Sequence, residues 1–420
     1  MGGVRTYLLS KEFLILNGLL AIVFITIAYN MPFRPTDELL LYFSDSKTYF
    51  NAGEEFFLLA EQGDSITRPF LYPVFLRGCF AIGGSWLVFI LQSLFWIISG
   101  NLIYLGIKQI TSKLLFRIAA VILYAVNISL ITYTFYGLTE SITVLLLSIL
   151  TYYTTKTLQS GLTIEYALKI VLLLSLLTVI KPLFQHPTLF FTLFVIIRFF
   201  KQFIVTKKRI VMLLLAISPI VLQVTVMKLK YDKFQISTIS ERTMNNYLLA
   251  QGVREIQGIS DVKRSQEIVQ KMKPAEKRSY LMNHRNVYLK LYLNNIADNV
   301  TGYKSSVIAP PGYDITKQQN VMSRYNETLF SVSRYFLLLF ILISVVDFFR
   351  KRMFSNWQQL TIGLLLYYIV FASGISFWQG DRLVVFAIPL WITLYCLLLI
   401  RCINSNFATV LFQQLKGLSK

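Results

Sequence analysis

Charge is scarce in this chain. Asp, Glu, Lys and Arg make up only 15% of its 420 residues, where a soluble domain carries roughly 25%. That shortage excludes an ordinary water-soluble globule. Cysteine is scarce as well: Cys79, Cys396 and Cys402 all lie in or beside apolar stretches, so they read as small embedded hydrophobes rather than a disulfide framework or redox pair. There are only two histidines. His186, in Gln185-His186-Pro187, has no second ligand at metal spacing and reads first as structural. A P-loop and a Rossmann glycine fingerprint are both missing, which argues against a soluble nucleotide donor.

Apolar residues are what is abundant. Hydrophobic types reach 55% and the mean hydropathy is +0.57. Apolar runs near twenty residues, long enough to cross a bilayer as helix, recur along the chain. The 33 Phe and 24 Tyr suit lipid-facing helices with aromatic belts. The pattern predicts an all-α integral membrane protein with about ten transmembrane helices, at 12–32, 85–107, 114–135, 138–156, 163–181, 184–203, 210–229, 331–349, 358–377 and 383–402. The stretch 13–31 reads as a retained first helix rather than a signal-peptide core, and the formal myristoylation pattern at Met1–Thr6 reads as chance.

A net charge of +20 invites a nucleic-acid reading, but the basic residues cluster in short connections between apolar runs, the mark of the positive-inside bias. Arg5, Lys11, Lys108, Lys113, Arg117, Lys156, Lys169, Arg198, Lys201, Lys207, Lys208, Arg209, Arg350, Lys351, Arg352, Arg401, Lys416 and Lys420 fall on one expected side, with both termini. The short connections on the other side hold Arg34, Lys47, Arg68, Arg77, Lys181 and Arg382. The expected protein is therefore multi-pass in the inner (plasma) membrane, with cytoplasmic termini and no nucleic-acid partner. The expected division is an N-terminal membrane module at 1–230 with a first outer loop at 33–84, an extracytoplasmic helical segment at 231–330, and a C-terminal membrane module at 331–420. In the middle segment Pro274 opens a helix. Tyr288, Tyr292, Ile296 and Val300 then repeat at the spacing of one helix face, which suits either packing on the protein or lying among headgroups beside Lys277, Arg278, Arg285 and Lys290. Ala309–Tyr313 reads as a turn or lid.

The first outer loop concentrates the candidate chemistry. Seven of the 21 acidic residues, Asp37, Glu38, Asp45, Glu54, Glu55, Glu61 and Asp64, lie there. Asp45 precedes an amphipathic stretch lying on the membrane, where it serves either as a helix cap or as a general base toward a hydroxyl. Arg68, ahead of Pro69 and Tyr72-Pro73, suits a phosphate at the interface or an interfacial anchor. Lys181-Pro182 and Asp381-Arg382 bring further cations to the same face, although Lys181 also fits snorkelling and Arg382 a pair with Asp381. Glu140 opens the fourth span, where it either answers the helix dipole, balances one of the cations, or orients an acceptor.

Asp45 with Tyr49 four residues on, followed by Arg68-Pro69-Phe70-Leu71-Tyr72-Pro73, resembles the first outer loop of polytopic glycosyltransferases with the GT-C fold. The likeness is to bacterial relatives of the protein mannosyltransferases and of the lipid A aminoarabinose and galacturonic acid transferases. Leu138-Thr139-Glu140-Ser141, Lys181-Pro182, and Asp381-Arg382 with Pro389 follow in the family's order. The resemblance covers the first 200 residues well and the rest loosely. It implies inverting transfer of a sugar from a polyprenyl-phosphate donor to a glycan, lipid or protein acceptor of the cell envelope. Asp45 would be the catalytic aspartate, Arg68 the phosphate cation, and Lys181 and Arg382 its helpers. Tyr49, Tyr72 and Glu140 would shape the acceptor side. The chain departs from the family in carrying Asp45-Ser46 for its common Asp-Glu pair and Phe70 for a second proline. No cofactor is implied, and a divalent metal is compatible but not called for. Two other classes use the same features: a flippase of lipid-linked saccharides, and an O-antigen polymerase or ligase with a lipid-diphosphate donor.

Overall fold

The structure is a computed structural model that describes residues 10–58, 63–301, 312–350, 356–377 and 380–404. The myristoylation pattern, Glu61, residues 309–311 of the expected lid, and Lys351, Arg352, Lys416 and Lys420 lie outside them. Among the described residues all regular structure is helical. The main helices are α1 (Lys11–Tyr29), α2 (Ser44–Leu58), α3 (Leu71–Ile110), α4 (Leu114–Ala125), α5 (Ile128–Thr132), α6 (Glu140–Ser160), α7 (Ile164–Thr178), α8 (Gln185–Arg198) and α9 (Lys207–Tyr231). Four shorter helices follow: α10 (Ala250–Gln257), α11 (Val262–Lys271), α12 (Pro274–Asn283) and α13 (Arg285–Thr301). The chain closes with α14 (Thr316–Phe349), α15 (Trp357–Ser373) and α16 (Ile388–Asn404).

All ten stretches expected to span fall on helix, but ten spans are not reached. Among the described residues five helices are long and apolar enough to cross a bilayer: Lys11–Tyr29, Leu71–Ile110, Lys207–Tyr231, Thr316–Phe349 and Val385–Ile403. A sixth arises if Leu114–Ala125 and Ile128–Phe135, bent by 55°, act as one. The others fall short for physical reasons. The α7 and α8 helices have 15 and 14 residues. The α6 helix is long enough but rich in Thr and Ser, and it is buried in the bundle, where apolarity toward lipid is not required. Several of its hydroxyls bond to its own backbone: Thr143 Oγ1 donates to the Thr139 carbonyl at 2.7 Å and Thr155 Oγ1 to that of Thr151 at 2.9 Å. By contrast α1, α9 and α14 show open apolar faces, with Leu14, Ile22, Leu214, Leu215, Leu338 and Phe348 exposed. Bare apolar faces of this extent need lipid against them. The chain is a membrane protein.

Two local features set up the loop end of the bundle. The α3 helix is broken by Gly83 and by Gly84, whose φ of +61° is left-handed, a conformation glycine adopts without a Cβ clash. The arm before the break buries Tyr72 and Leu76, and the part after it buries Val88, Gln92, Trp96, Ile103 and Ile107 inside the bundle. Against that arm lies α2, with Phe50 edge-on to Phe80 at 5.0 Å and the Arg77 guanidinium 4.4 Å above the Phe50 ring. The segment expected to lie outside the membrane is packed on the protein rather than laid among headgroups: Tyr288, Ile296 and Val300 are buried. Tyr292 donates to the Phe371 carbonyl at 2.6 Å, and Asn299 to those of Ser373 and Ser376 at 2.9 Å. The helix opened by Pro274 stops at Asn283 and restarts at Arg285, and α14 begins at Thr316, inside the stretch expected to lie wholly outside the membrane.

Gly53 is where α2 touches α3 most tightly. A Cβ there would run into the Pro73 carbonyl oxygen and the Arg77 Cβ, and backbone does not move cheaply. Gly53→Ala is predicted to cost about 1–3 kcal/mol, as overpacking does, and to lower the Tm of detergent-solubilised protein by several degrees. A melt unchanged from wild type would contradict this contact.

Candidate active site

The elements around this contact carry the charged residues. Asp45 stands in the first turn of α2, where the unpaired amides of a helix start favour a carboxylate. Arg68 follows a tight turn at Asp64–Ile66, its own N–H donating to the Asp64 carbonyl at 3.0 Å. Glu140 opens α6, Lys181 precedes the turn Pro182–Phe184, and Arg382 sits in the turn Gly380–Leu383 before α16. Residues more than three hundred positions apart in sequence therefore meet at one end of the bundle.

The meeting point is the Asp45 carboxylate. Arg68 Nη2 lies 2.5 Å from Oδ1 and Arg382 Nη2 lies 2.8 Å from Oδ2, so each oxygen has its own guanidinium. Arg382 turns its Nε to Glu140 Oε1 at 3.0 Å, and Lys181 Nζ reaches the same oxygen at 3.1 Å. Three cations thus face two carboxylates, leaving one positive charge in surplus. Arg68 is held further by Nε to Thr48 Oγ1 at 2.9 Å and by stacking over the Tyr49 ring at 4.4 Å. Burial alone would raise the Asp45 carboxyl, but the charges of Arg382 and Arg68 outweigh it and hold it well below the usual carboxylate range.

This cluster forms one wall of a cavity of about 360 Å³. The second wall is apolar, with Ile180, Leu183, Ile369, Ala372, Leu383 and Phe386. The third comes from the segment ahead of α10, with Ile239, Ser240, Thr243 and Tyr247. Of the residues singled out from sequence, Asp45, Tyr49, Arg68, Glu140, Lys181 and Arg382 line the cavity together. Tyr72 does not. It is fully buried behind Tyr49, edge-on at 5.2 Å, and supports the wall from the back. Arg382 pairs with Asp45 and Glu140, while the carboxylate beside it in sequence, Asp381, turns inward. His186 also lines the cavity, with its Nδ1 3.2 Å from Tyr368 OH. Among the described residues no three His, Cys, Asp or Glu side chains gather as a metal site.

Sequence reasoning missed the anchoring of Arg382. Asp381 is 1% exposed. It accepts from Ser129 Oγ at 2.7 Å, Asn326 Nδ2 at 2.9 Å and Tyr133 OH at 3.3 Å. That ties the arginine-bearing turn to α5 and α14. Asn326 gave little signal in sequence, because it stands among the polar residues Gln319, Asn320, Arg324 and Glu327 at the start of α14. The contacts of the segment ahead of α10, Thr238 N–H to the Ile66 carbonyl at 3.1 Å and Ser237 Oγ to that of Thr67 at 2.6 Å, had no sequence signal.

No family model and no curated protein sequence matches this chain. Among solved structures, it is similar to the archaeal oligosaccharyltransferase AglB from Archaeoglobus fulgidus, solved with an inhibitory peptide and a dolichol-phosphate. The TM-score is 0.44 at 12% identity over 98% of this chain. The chain spans about half, 52%, of that protein's length.

Burial pushes the Asp381 carboxyl up from 3.8 to about 6, outweighing its hydrogen bonds from Asn326, Ser129 and Tyr133. The folded protein therefore holds this proton more tightly than the unfolded chain. The resulting stabilisation is full below about 3.8 and is lost as pH rises through about 6. Asp381→Asn is predicted to flatten the fall in Tm between those two pH values relative to wild type. Parallel melts across that range, equally steep for both proteins, would contradict the assignment.

Proposed function

We propose that this protein is a membrane glycosyltransferase. It moves a sugar, with inversion, from a polyprenyl-phosphate donor to a glycan, lipid or protein acceptor of the cell envelope. In this reading the protein sits in the inner (plasma) membrane with its termini in the cytoplasm and works on the extracytoplasmic face. The observation that carries the proposal is the convergence of Arg68, Arg382 and Lys181 on one cavity that also has an apolar wall. A lipid-linked sugar phosphate has those two needs: cations for its phosphate and an apolar path for its tail.

The chemistry follows from charge. A sugar phosphodiester carries one negative charge and leaves as a phosphate monoester with a second, developed as the sugar C1–O bond breaks. Cations already in place stabilise that charge in a site largely shielded from water, and such preorganised electrostatics is a large catalytic term. Arg68 and Arg382 present fixed guanidinium forks to the phosphate, with Lys181 as a third charge. Asp45 is a weak base while both guanidiniums hold it. A donor phosphate competing for them loosens that hold, raises the basicity of Asp45, and leaves it to accept or orient the acceptor hydroxyl proton. Glu140 keeps Lys181 and Arg382 in position, and Tyr49 keeps Arg68 so.

Purified protein in nanodiscs, given a panel of radiolabelled undecaprenyl-phosphate sugars, is predicted to turn over at least one donor. Asp45→Asn and Arg68→Ala should each lower that turnover by about a hundredfold or more, the scale of losing an electrostatic or acid–base group, with folding retained. Turnover unaffected by both substitutions would remove this cluster from the chemistry. Absence of turnover with tight binding indifferent to Asp45→Asn would favour transport of lipid-linked saccharide.

A further inference from the structure

The cavity has three walls, and the donor chemistry uses two. The cations take the phosphate and the apolar wall between Ile180–Leu183 and α15 takes the tail. A sugar attached to that phosphate then faces the third wall, built from the outer segment at Ile239–Tyr247.

This wall has a distinctive backbone. The helical run from Ile239 to Gln257 switches at Met244–Leu249 to a π-helix before continuing as α10. A π-turn adds a residue to the helical turn and redirects the side chains around it, and such turns are frequent at functional sites. Thr243 and Tyr247, four residues apart at its start and on one helix face, both line the cavity. Leu248, Leu249, Ala250 and Val253 meanwhile pack inward against Val269 and Tyr288. That inner face has no slack, since a Cβ at Gly252 would run into the Tyr288 ring. The Tyr247 ring is set edge-on against Phe377, centroids 5.6 Å apart at 74°. The charges of Asp45, Arg382 and Arg68 lie close enough to act on its hydroxyl. A half-buried tyrosine packed on Phe377 therefore lines the same cavity as the phosphate cations, and the Ser240 and Thr243 hydroxyls line it too.

We propose that Tyr247 is the platform on which the donor's sugar ring lies, with Ser240 and Thr243 meeting its hydroxyls, so that the outer segment selects the sugar. The inference rests on the glycosyltransferase reading and adds to it the recognition of the glycosyl group. A pyranose has one face of C–H groups, which carry partial positive charge, and a rim of hydroxyls. The negative face of an aromatic ring attracts the first, and side-chain hydroxyls suit the second. The anchoring of this segment to the loop that bears Arg68, through Thr238 to Ile66 and Ser237 to Thr67, fixes the distance between platform and phosphate site.

The test compares two lipids on full-length protein in nanodiscs: undecaprenyl phosphate, and undecaprenyl phosphate bearing the hexose that the wild type binds best among mannose, glucose and galactose. Tyr247→Ala and Tyr247→Leu should weaken binding of the sugar-bearing lipid about tenfold and leave undecaprenyl phosphate unchanged, while Tyr247→Phe stays near wild type. The leucine variant keeps apolar bulk and guards against loss of fold. Binding of the sugar-bearing lipid unchanged in the leucine variant overturns the proposal, as does an equal loss for both lipids, and both outcomes leave the phosphate site standing. Wild-type protein that binds neither lipid overturns the glycosyltransferase reading and this inference with it.

Discussion

The Asp45 carboxylate, with Arg68 on one oxygen and Arg382 on the other, is the interaction around which the loop end of the bundle is assembled. Each arginine comes from a different part of the chain, and each is fixed by further partners. Arg68 is held by Thr48 and Tyr49. Arg382 is held by Glu140 and by the inward anchoring of its neighbour Asp381. Charges taken out of water are costly unless paired and hydrogen-bonded. An arrangement with three cations on two carboxylates at the edge of a cavity therefore leaves positive charge that an anion would complete. In the proposed reaction, an incoming phosphate competes for the same pairing.

The rest of the fold serves that geometry. The break at Gly83-Gly84 divides one helix into an arm and a part buried in the bundle. The close approach at Gly53 holds α2, and with it Asp45, against that arm. The buried α6 brings Glu140 up from below, and the segment ahead of α10 is bolted to the loop that carries Arg68. Stability and function draw on the same residues here. Loosening α2 moves the carboxylate, and freeing the Gly380–Leu383 turn moves the guanidinium.

Much of this was legible from sequence, and what was not has physical causes. Long apolar runs mark α1, α9 and the later part of α14 because these stretches leave open apolar faces. The same rule fails for α6, several of whose threonines bond to backbone inside the bundle, and for α7 and α15, which are short. The charged site residues stood out because a cation or carboxylate next to a membrane is costly without a partner. Their pairing did not: adjacency suggested Asp381 with Arg382, whereas the helical turn points one inward and the other into the cavity. Tyr72 looked equivalent to Tyr49 and lies behind it. Tyr247 carried no signal, because a single tyrosine in a polar stretch looks ordinary until the fold brings it beside the cations.

The most direct measurement is a structure of the protein in a lipid nanodisc with undecaprenyl phosphate bound. The account predicts the lipid's phosphate among Arg68, Arg382 and Lys181, its tail along the wall of Ile369, Ala372 and Phe386, and at least one guanidinium drawn away from Asp45. A phosphate bound elsewhere, with both Asp45 ion pairs intact, would contradict it.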